Sequence, residues 1–262
     1  MIQQHTASRK KALAAILLLI LLAGICIAAG QWQLRRAHDR ETIRAARLAG
    51  QQAPPLTLTT QTPDGPDWRR ASAQGQWLNP LTVLLDNRNL KGRPGLWVAT
   101  PLALQDDPGA AVLVLRGWVA RPMPPATLPD LRAVDGPVQV QGTLLHHVPR
   151  LLDLGNLTGD TPAGLPRPFP PADGALLRVQ NLDLDALAAA SGLRLLPVVL
   201  EQAPTQDAGL IQEWPGPSDN ASQNYNYAGQ WFSFAAIALI AAAVILWRTR
   251  RKPAASSESD AS

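Results

Sequence analysis

Residues 12–30 read ALAAILLLILLAGICIAAG, a run without a single charge, directly behind Arg9-Lys10-Lys11. Residues 228–247 read AGQWFSFAAIALIAAAVILW, again uncharged, and Arg248, Arg250, Arg251 and Lys252 follow. At about 1.5 Å of rise per residue, each run makes a helix roughly 30 Å long, the thickness of a bilayer's hydrocarbon core. A helix satisfies its own backbone hydrogen bonds, so both can cross lipid. Trp32, Trp231 and Trp247 stand at the edges, where amphipathic rings settle. The two runs therefore predict two transmembrane helices. For the first, a cleaved signal peptide is the alternative, with a basic start and small residues Ala28-Ala29-Gly30 at its end. Its apolar stretch is long for such a segment and its cleavage motif is poor. Cys26 reads as a small apolar residue facing lipid or the other helix.

The four basic residues after the second run, against none in 214–230, place that flank in the cytoplasm. Two spans return the N-terminus to the same side. The predicted order is a cytoplasmic tail (1–11), a first span (12–31), a periplasmic domain (32–226), a second span (227–247) and a disordered cytoplasmic tail (248–262). Residues 1–11 lack the Arg- and Ser-rich amphipathic character of a mitochondrial presequence, so the expected location is a bacterial inner membrane. Arg35, Arg36, Arg40, Arg44 and Arg47 then lie outside. They need a counter-charge: lipid phosphate, a partner protein or an anionic ligand.

Between the spans the pattern turns to short β-type runs. Residues 33–48 continue the first helix until Gly50 and Pro54-Pro55 end it. Residues 54–75 read as loop with one short strand at most. Strands are expected at 81–87, 96–104, 111–120, 138–146, 176–182 and 193–201. A short helix is expected at 183–191, capped by Asp183 and stopped by Gly192. The predicted fold class is a membrane protein of α+β type, with two transmembrane helices flanking a β-rich extracytoplasmic domain. Regular strands with turn signals favour an antiparallel barrel or sandwich.

Composition narrows the chemistry. The 262 residues carry 24 Lys+Arg against 20 Asp+Glu, one Cys and four His. One cysteine excludes a disulfide scaffold and any multi-cysteine metal site within the chain. The basic residues are not gathered on a groove-binding element, which argues against nucleic acid. No phosphate-binding glycine loop, nucleophile elbow, His-Glu-x-x-His or Cys-x-x-Cys is present. No catalytic residue and no metal ligand set is therefore expected. His146 and His147 would point to opposite faces of a strand end and could not chelate one ion. Arg88, Lys91 and Arg93 read as the basic, solvated tip of a turn, with anion binding as the alternative. His38, on the helical extension beside Arg35 and Arg36, is either an exposed histidine or an axial ligand for haem at the membrane surface.

Four segments resemble one family. Gly30-Gln31-Trp32-Gln33-Leu34-Arg35-Arg36 is similar to the Gly-x-Trp-Gln-x-x-Arg signature of the Surfeit locus protein 1 family, the Shy-one-like oxidase assembly factors. Val98-Ala99-Thr100-Pro101-Leu102 and Val112-Leu113-Val114-Leu115-Arg116-Gly117-Trp118-Val119 match its middle strands, with Leu115 where the family has Asn. Tyr227-Ala228-Gly229-Gln230-Trp231-Phe232 resembles the family's lead-in to its second helix. The resemblance implies a non-enzymatic assembly factor for haem–copper (cytochrome c) oxidase that assists haem a delivery to the catalytic subunit. The implied partners are that subunit, haem a synthase and the bilayer, and the implied cofactor is haem a. Trp32 and Arg36 would stack on a porphyrin and pair with its propionates. Tyr227 and Trp231 would complete the slot, interface anchoring being the plain alternative for both. Many family members carry His three residues before the Tyr; here that residue is Asn224. A proposed axial ligand is thus missing, and His38 is the substitute at hand. A membrane-anchored ligand-binding sensor or envelope scaffold is the competing function.

Overall fold

The computed structural model describes residues 2–151, 165, 169–205, 209–216 and 221–251, with side chains from Lys10 onward. Of the tail predicted as disordered at 248–262, residues 248–251 are helical and the rest lies outside the described residues. The chain divides into two compact units. One comprises Met1–Arg44 with Ser218–Ser262, the other Ala45–Pro217.

The first unit holds two helices, α1 (Ile2–Gln52) and α3 (Ser222–Arg251). Their last and first turns run beyond the apolar runs. Pro54 and Pro55 end α1, because a proline drives the residue before it out of the helical region. Both helices are long and apolar enough to cross a membrane. Leu17, Leu18, Leu21 and Ile25 on α1, and Phe234, Ile237 and Ile240 on α3, are exposed large apolar side chains. Water would oppose such a display, whereas lipid accepts it. The helices meet through small residues. Ala23 and Cys26 bury against Ala235 and Ala238, with Leu19 and Trp231 packed on the cluster. Buried positions on α3 recur as Asn224, Ala228, Ala235, Ala238 and Ala242, with Ala221 buried just before the helix begins, the three-then-four spacing of a coiled-coil seam. Small side chains let the two backbones approach. A Cβ on Gly30 would stand 2.7 Å from the Phe232 ring, so a larger residue there would have to push that ring aside.

The second unit is β-rich. Its strands are β1 (Leu56–Leu58), β2 (Arg70–Trp77), β3 (Val83–Leu90), β4 (Arg93–Leu104), β5 (Ala110–Ala120), β6 (Pro137–Leu145), β7 (Leu177–Val179) and β8 (Arg194–Gln202). They form one sheet in the order β1-β2-β6-β8-β5-β4-β3-β7, and β2 also pairs with β4. Strands β2, β6, β8, β5 and β4 thereby make a closed circuit of pairings. The expectation of a purely antiparallel sheet is corrected: β1–β2, β3–β7 and β5–β8 are parallel. β6, β7 and α2 lie between β5 and β8 in the chain and supply the long crossover that a parallel pair requires.

β4 and β5 are buried along nearly their whole length. One face packs with Leu102, Leu104, Val112, Val114, Leu144, Val198 and Leu200. The other packs with Trp97, Leu113, Leu115, Trp118 and Leu187. This is why 96–104 and 111–120 read as continuous apolar runs. Helix α2 (Leu184–Ser191) is capped by the Asp183 carboxylate, which accepts from the Asp185 and Ala186 amides at 3.0 and 3.2 Å. Gly192 ends it in the left-handed region at φ 71°.

Strand β2 corrects the loop reading of 54–75. Its inward residues are Ala71, Ala73 and Gly75, too small to give an apolar signal. A Cβ on Gly75 would meet the Ala103 carbonyl oxygen at 1.9 Å, so the close β2–β4 approach demands glycine. The strand expected at 176–182 shrinks to the three residues of β7.

Candidate functional site

Past the apolar part of α1, Trp32 is 54% exposed, and Arg35, Arg36 and His38 are exposed with it. These four, with Leu34 and Asp39, line an open hollow of about 520 Å³. Trp32, Arg35, Arg36 and Asp39 follow the spacing that brings residues to one side of a helix. An indole, two guanidiniums and an imidazole are thus presented on one element, and no hydrogen bond or ion pair to Arg35, Arg36 or the His38 ring occurs among the described residues. The His38 carbonyl accepts from Thr42 Oγ1 at 3.0 Å.

The other two residues expected in the slot sit on α3. Tyr227 is exposed. Trp231 turns into the helix seam, on the Ala23, Cys26, Ala235 and Ala238 cluster, and meets Phe234 edge-on at 6.2 Å. The hollow beside Trp32 is lined by α1 alone. The structure thus brings Trp32, Arg36 and His38 together and gives Trp231 a packing role as well.

Asn224, in place of the histidine that the resemblance led us to look for, is buried in the same seam. Its Nδ2 donates to Gln33 Oε1 at 2.7 Å, while its Oδ1 is buried without a partner. Gln33 belongs to the Gly-x-Trp-Gln segment, so this segment and the 224–231 segment of α3 are joined by a hydrogen bond between the helices. Sequence reading missed Gln33; the regular spacing of 221, 224 and 228 was the signal that a polar seam residue needed a partner.

Arg88 corrects another expectation. It lies in β3, 3% exposed, not at a solvated tip. Its Nη1 and Nη2 donate to the Pro149 and Gln180 carbonyls at 2.8 and 2.9 Å, and its guanidinium stacks over Trp97 at 4.5 Å. Burial pulls its pKa down to about 10. A bulge between Leu85 and Arg88 turns the side chain inward. Arg88 ties two segments to the sheet and is not free to bind an anion.

His146 follows the end of β6. Its Nδ1 lies 2.7 Å from Asp67 and its Nε2 2.9 Å from Asp64. Both ring nitrogens can donate only when the imidazole is charged. The bond to Asp67 raises its pKa, against the pull of burial, and Asp64 adds to the rise. His147 instead lines a cavity with Arg47, Glu201, Trp68 and Trp214. These residues are scattered along the sequence, and only the fold gathers them. Among the described residues, no group of three or more His, Cys, Asp or Glu is placed to hold a metal ion.

The SURF1 family model matches residues 20–236, which takes in apolar stretches of both helices and the whole β-rich unit. An uncharacterised SURF1-like protein of Mycobacterium bovis is 26% identical over 266 residues, covering 94% of this chain and 88% of the relative. One of Mycobacterium tuberculosis matches to the same extent. The cytochrome oxidase assembly protein SHY1 of Saccharomyces cerevisiae is 28% identical over 95 residues, 35% of this chain and 24% of its own length. With the match taking in parts of both helices and all of the sheet between them, this chain belongs to the SURF1 family.

Proposed function

We propose that this protein is a non-catalytic membrane assembly factor for haem–copper (cytochrome c) oxidase, assisting haem a delivery to the catalytic subunit. The observation that carries the reading is the family match across both helices and the β-rich unit, together with the likeness to a yeast protein named for oxidase assembly. Two spans put the chain beside a membrane-embedded client. The catalytic subunit is the partner proposed first, and haem a synthase the natural donor.

The Trp32 surface has the donor set that such a cargo needs. The His38 imidazole would hold the iron, Arg35 and Arg36 the propionates, and Trp32 the ring face. Haem a, when bound, supplies the redox-active iron that the oxidase requires; this chain's residues only bind and orient it. Tyr227 and Trp231 on α3 would hold the helix pair at the interface. Asn224 donates its amide to Gln33 and offers no imidazole at the seam position, so His38 is the histidine proposed for the iron.

The basic end of α3, with Arg248, Arg250 and Arg251, supports cytoplasmic termini and a periplasmic β-rich unit in a bacterial inner membrane. A reporter fused after residue 150 reads that orientation directly. The closed circuit of β2, β6, β8, β5 and β4 supports a small barrel as the shape of that unit. The test of cargo binding is the absorption spectrum of the full chain purified from cells that make haem a. A Soret band that disappears in His38→Ala supports the reading; a colourless wild-type protein refutes haem carriage.

A further inference from the structure

The cavity that His147 lines, in the β-rich unit, is about 460 Å³ and takes no part in the assembly site proposed on α1. It is lined by Thr143 and Leu145 of β6 and Glu201 of β8, Thr143 and Glu201 being cross-strand partners. Trp68 and Trp214 also line it, with Arg47 and Gln51 from the last turns of α1. We propose that this cavity binds a zwitterion: an ammonium and an anionic oxygen carried close together on an apolar body.

The argument starts from two groups that lack partners. Glu201 accepts no hydrogen bond among the described residues, and Arg47 acts on it only as a nearby charge. Arg47 likewise donates no hydrogen bond there. Its guanidinium lies against Gly216, where a Cβ would come within 2.4 Å of Nη1, so the glycine leaves room for it. Burial raises the Glu201 pKa to about 7, with Arg47 opposing the rise. An acid without a donor and a base without an acceptor therefore share one cavity. A lone cation would be repelled by Arg47, and a lone anion by Glu201. A ligand bearing both charges satisfies both, through charge-assisted hydrogen bonds.

The walls are built rather than accidental. Trp214 is fixed by donating its indole N–H to the Gln202 carbonyl at 2.9 Å and by an edge contact with Trp97 at 5.4 Å. Trp68 is held at φ 61°, a left-handed backbone that a bulky side chain rarely adopts. Its segment is clamped on both sides, by the Asp67–His146 contact and by Arg69 Nε donating to the Pro54 carbonyl at 2.9 Å. Strain of this kind gathers at binding sites. The two indoles offer faces for an apolar body and for a cation. Asp67 also lines the cavity, with its Oδ1 engaged by His146.

Two sources share this chemistry: a phosphoethanolamine lipid headgroup and a free amino acid. Titration calorimetry on the full chain in detergent micelles separates them, with glycerophosphoethanolamine and L-phenylalanine as probes. Tetraethylammonium and benzoate are the single-charge controls. Saturable binding of either zwitterion is expected, about tenfold or more tighter than either control and weakened about tenfold or more in Glu201→Gln and in Arg47→Gln. The zwitterion that binds names the source. Thermal unfolding checks that the variants fold; if one does not, the wild-type preference over the controls decides. Absence of saturable binding by both zwitterions, a single-charge probe binding as well, or indifference to both substitutions would overturn the proposal. The oxidase role stands or falls separately, because none of these measurements involves haem or oxidase.

Discussion

Trp32 and Arg36 lie one helical turn apart on α1, exposed, beside His38. Neither packs in the helix seam, so removing either should leave the fold intact. Trp32→Ala or Arg36→Ala is expected to lower haem a per oxidase severalfold while membrane levels of the variant, read by immunoblot, match wild type. Loss of the protein itself would instead assign both residues to anchoring. His146 gives a pH dependence with a definite sign. Its folded pKa lies above the ordinary 6.5, chiefly through Asp67. The stability it adds is full below about 6.5 and is lost as pH rises through the higher folded value. Glu201 acts in the same direction lower down, because burial lifts its pKa from 4.5 to about 7. The melting temperature should therefore decline from about pH 4.5 upward. Glu201→Gln should remove the part of the fall up to about 7, and His146→Ala the part above about 6.5. A wild-type melting temperature that climbs over this range would contradict both assignments.

At the level of elements, the decisive junction is the place where β2 leaves β6 and pairs with β4. Gly75 faces Val138 on one side and Leu104 on the other. A side chain there meets backbone, which cannot step aside. Gly75→Val is expected to cost several kcal/mol, on the scale of severe overpacking, and to lower the melting temperature of the full chain by well over five degrees, roughly. A shift of a degree or two would mean that the β2–β4 pairing is dispensable. The same junction shows where sequence reading stops. Strands β4, β5 and β8 are rich in Val and Leu, and α2 has Asp183 before it and Gly192 after it, so all four were legible. Strand β2 was not, because Ala and Gly serve a close approach that local sequence does not encode. Arg88 was misjudged for a related reason: a bulge reverses the face of its strand, and its partners, Pro149 and Gln180, are distant in sequence.

Over the whole molecule, the two membrane-length helices follow from hydropathy alone, whereas their pairing through Ala, Gly and Cys required the structure. The α1 surface was partly legible: the helix period puts Trp32, Arg35, Arg36 and Asp39 on one side, whereas His38, two residues past Arg36, lines the hollow without sharing that spacing. Trp231 in the seam and the Arg47–Glu201 cavity depend on contacts between residues far apart in the chain. The central claim is that this SURF1-family member serves oxidase biogenesis. Its most direct test is the haem a content of purified cytochrome c oxidase from cells lacking the chain, beside the same cells with it restored. The account predicts a clear deficit that re-expression repairs, with the other respiratory complexes unaffected. Oxidase carrying its full complement of haem a in the absence of the chain would contradict it.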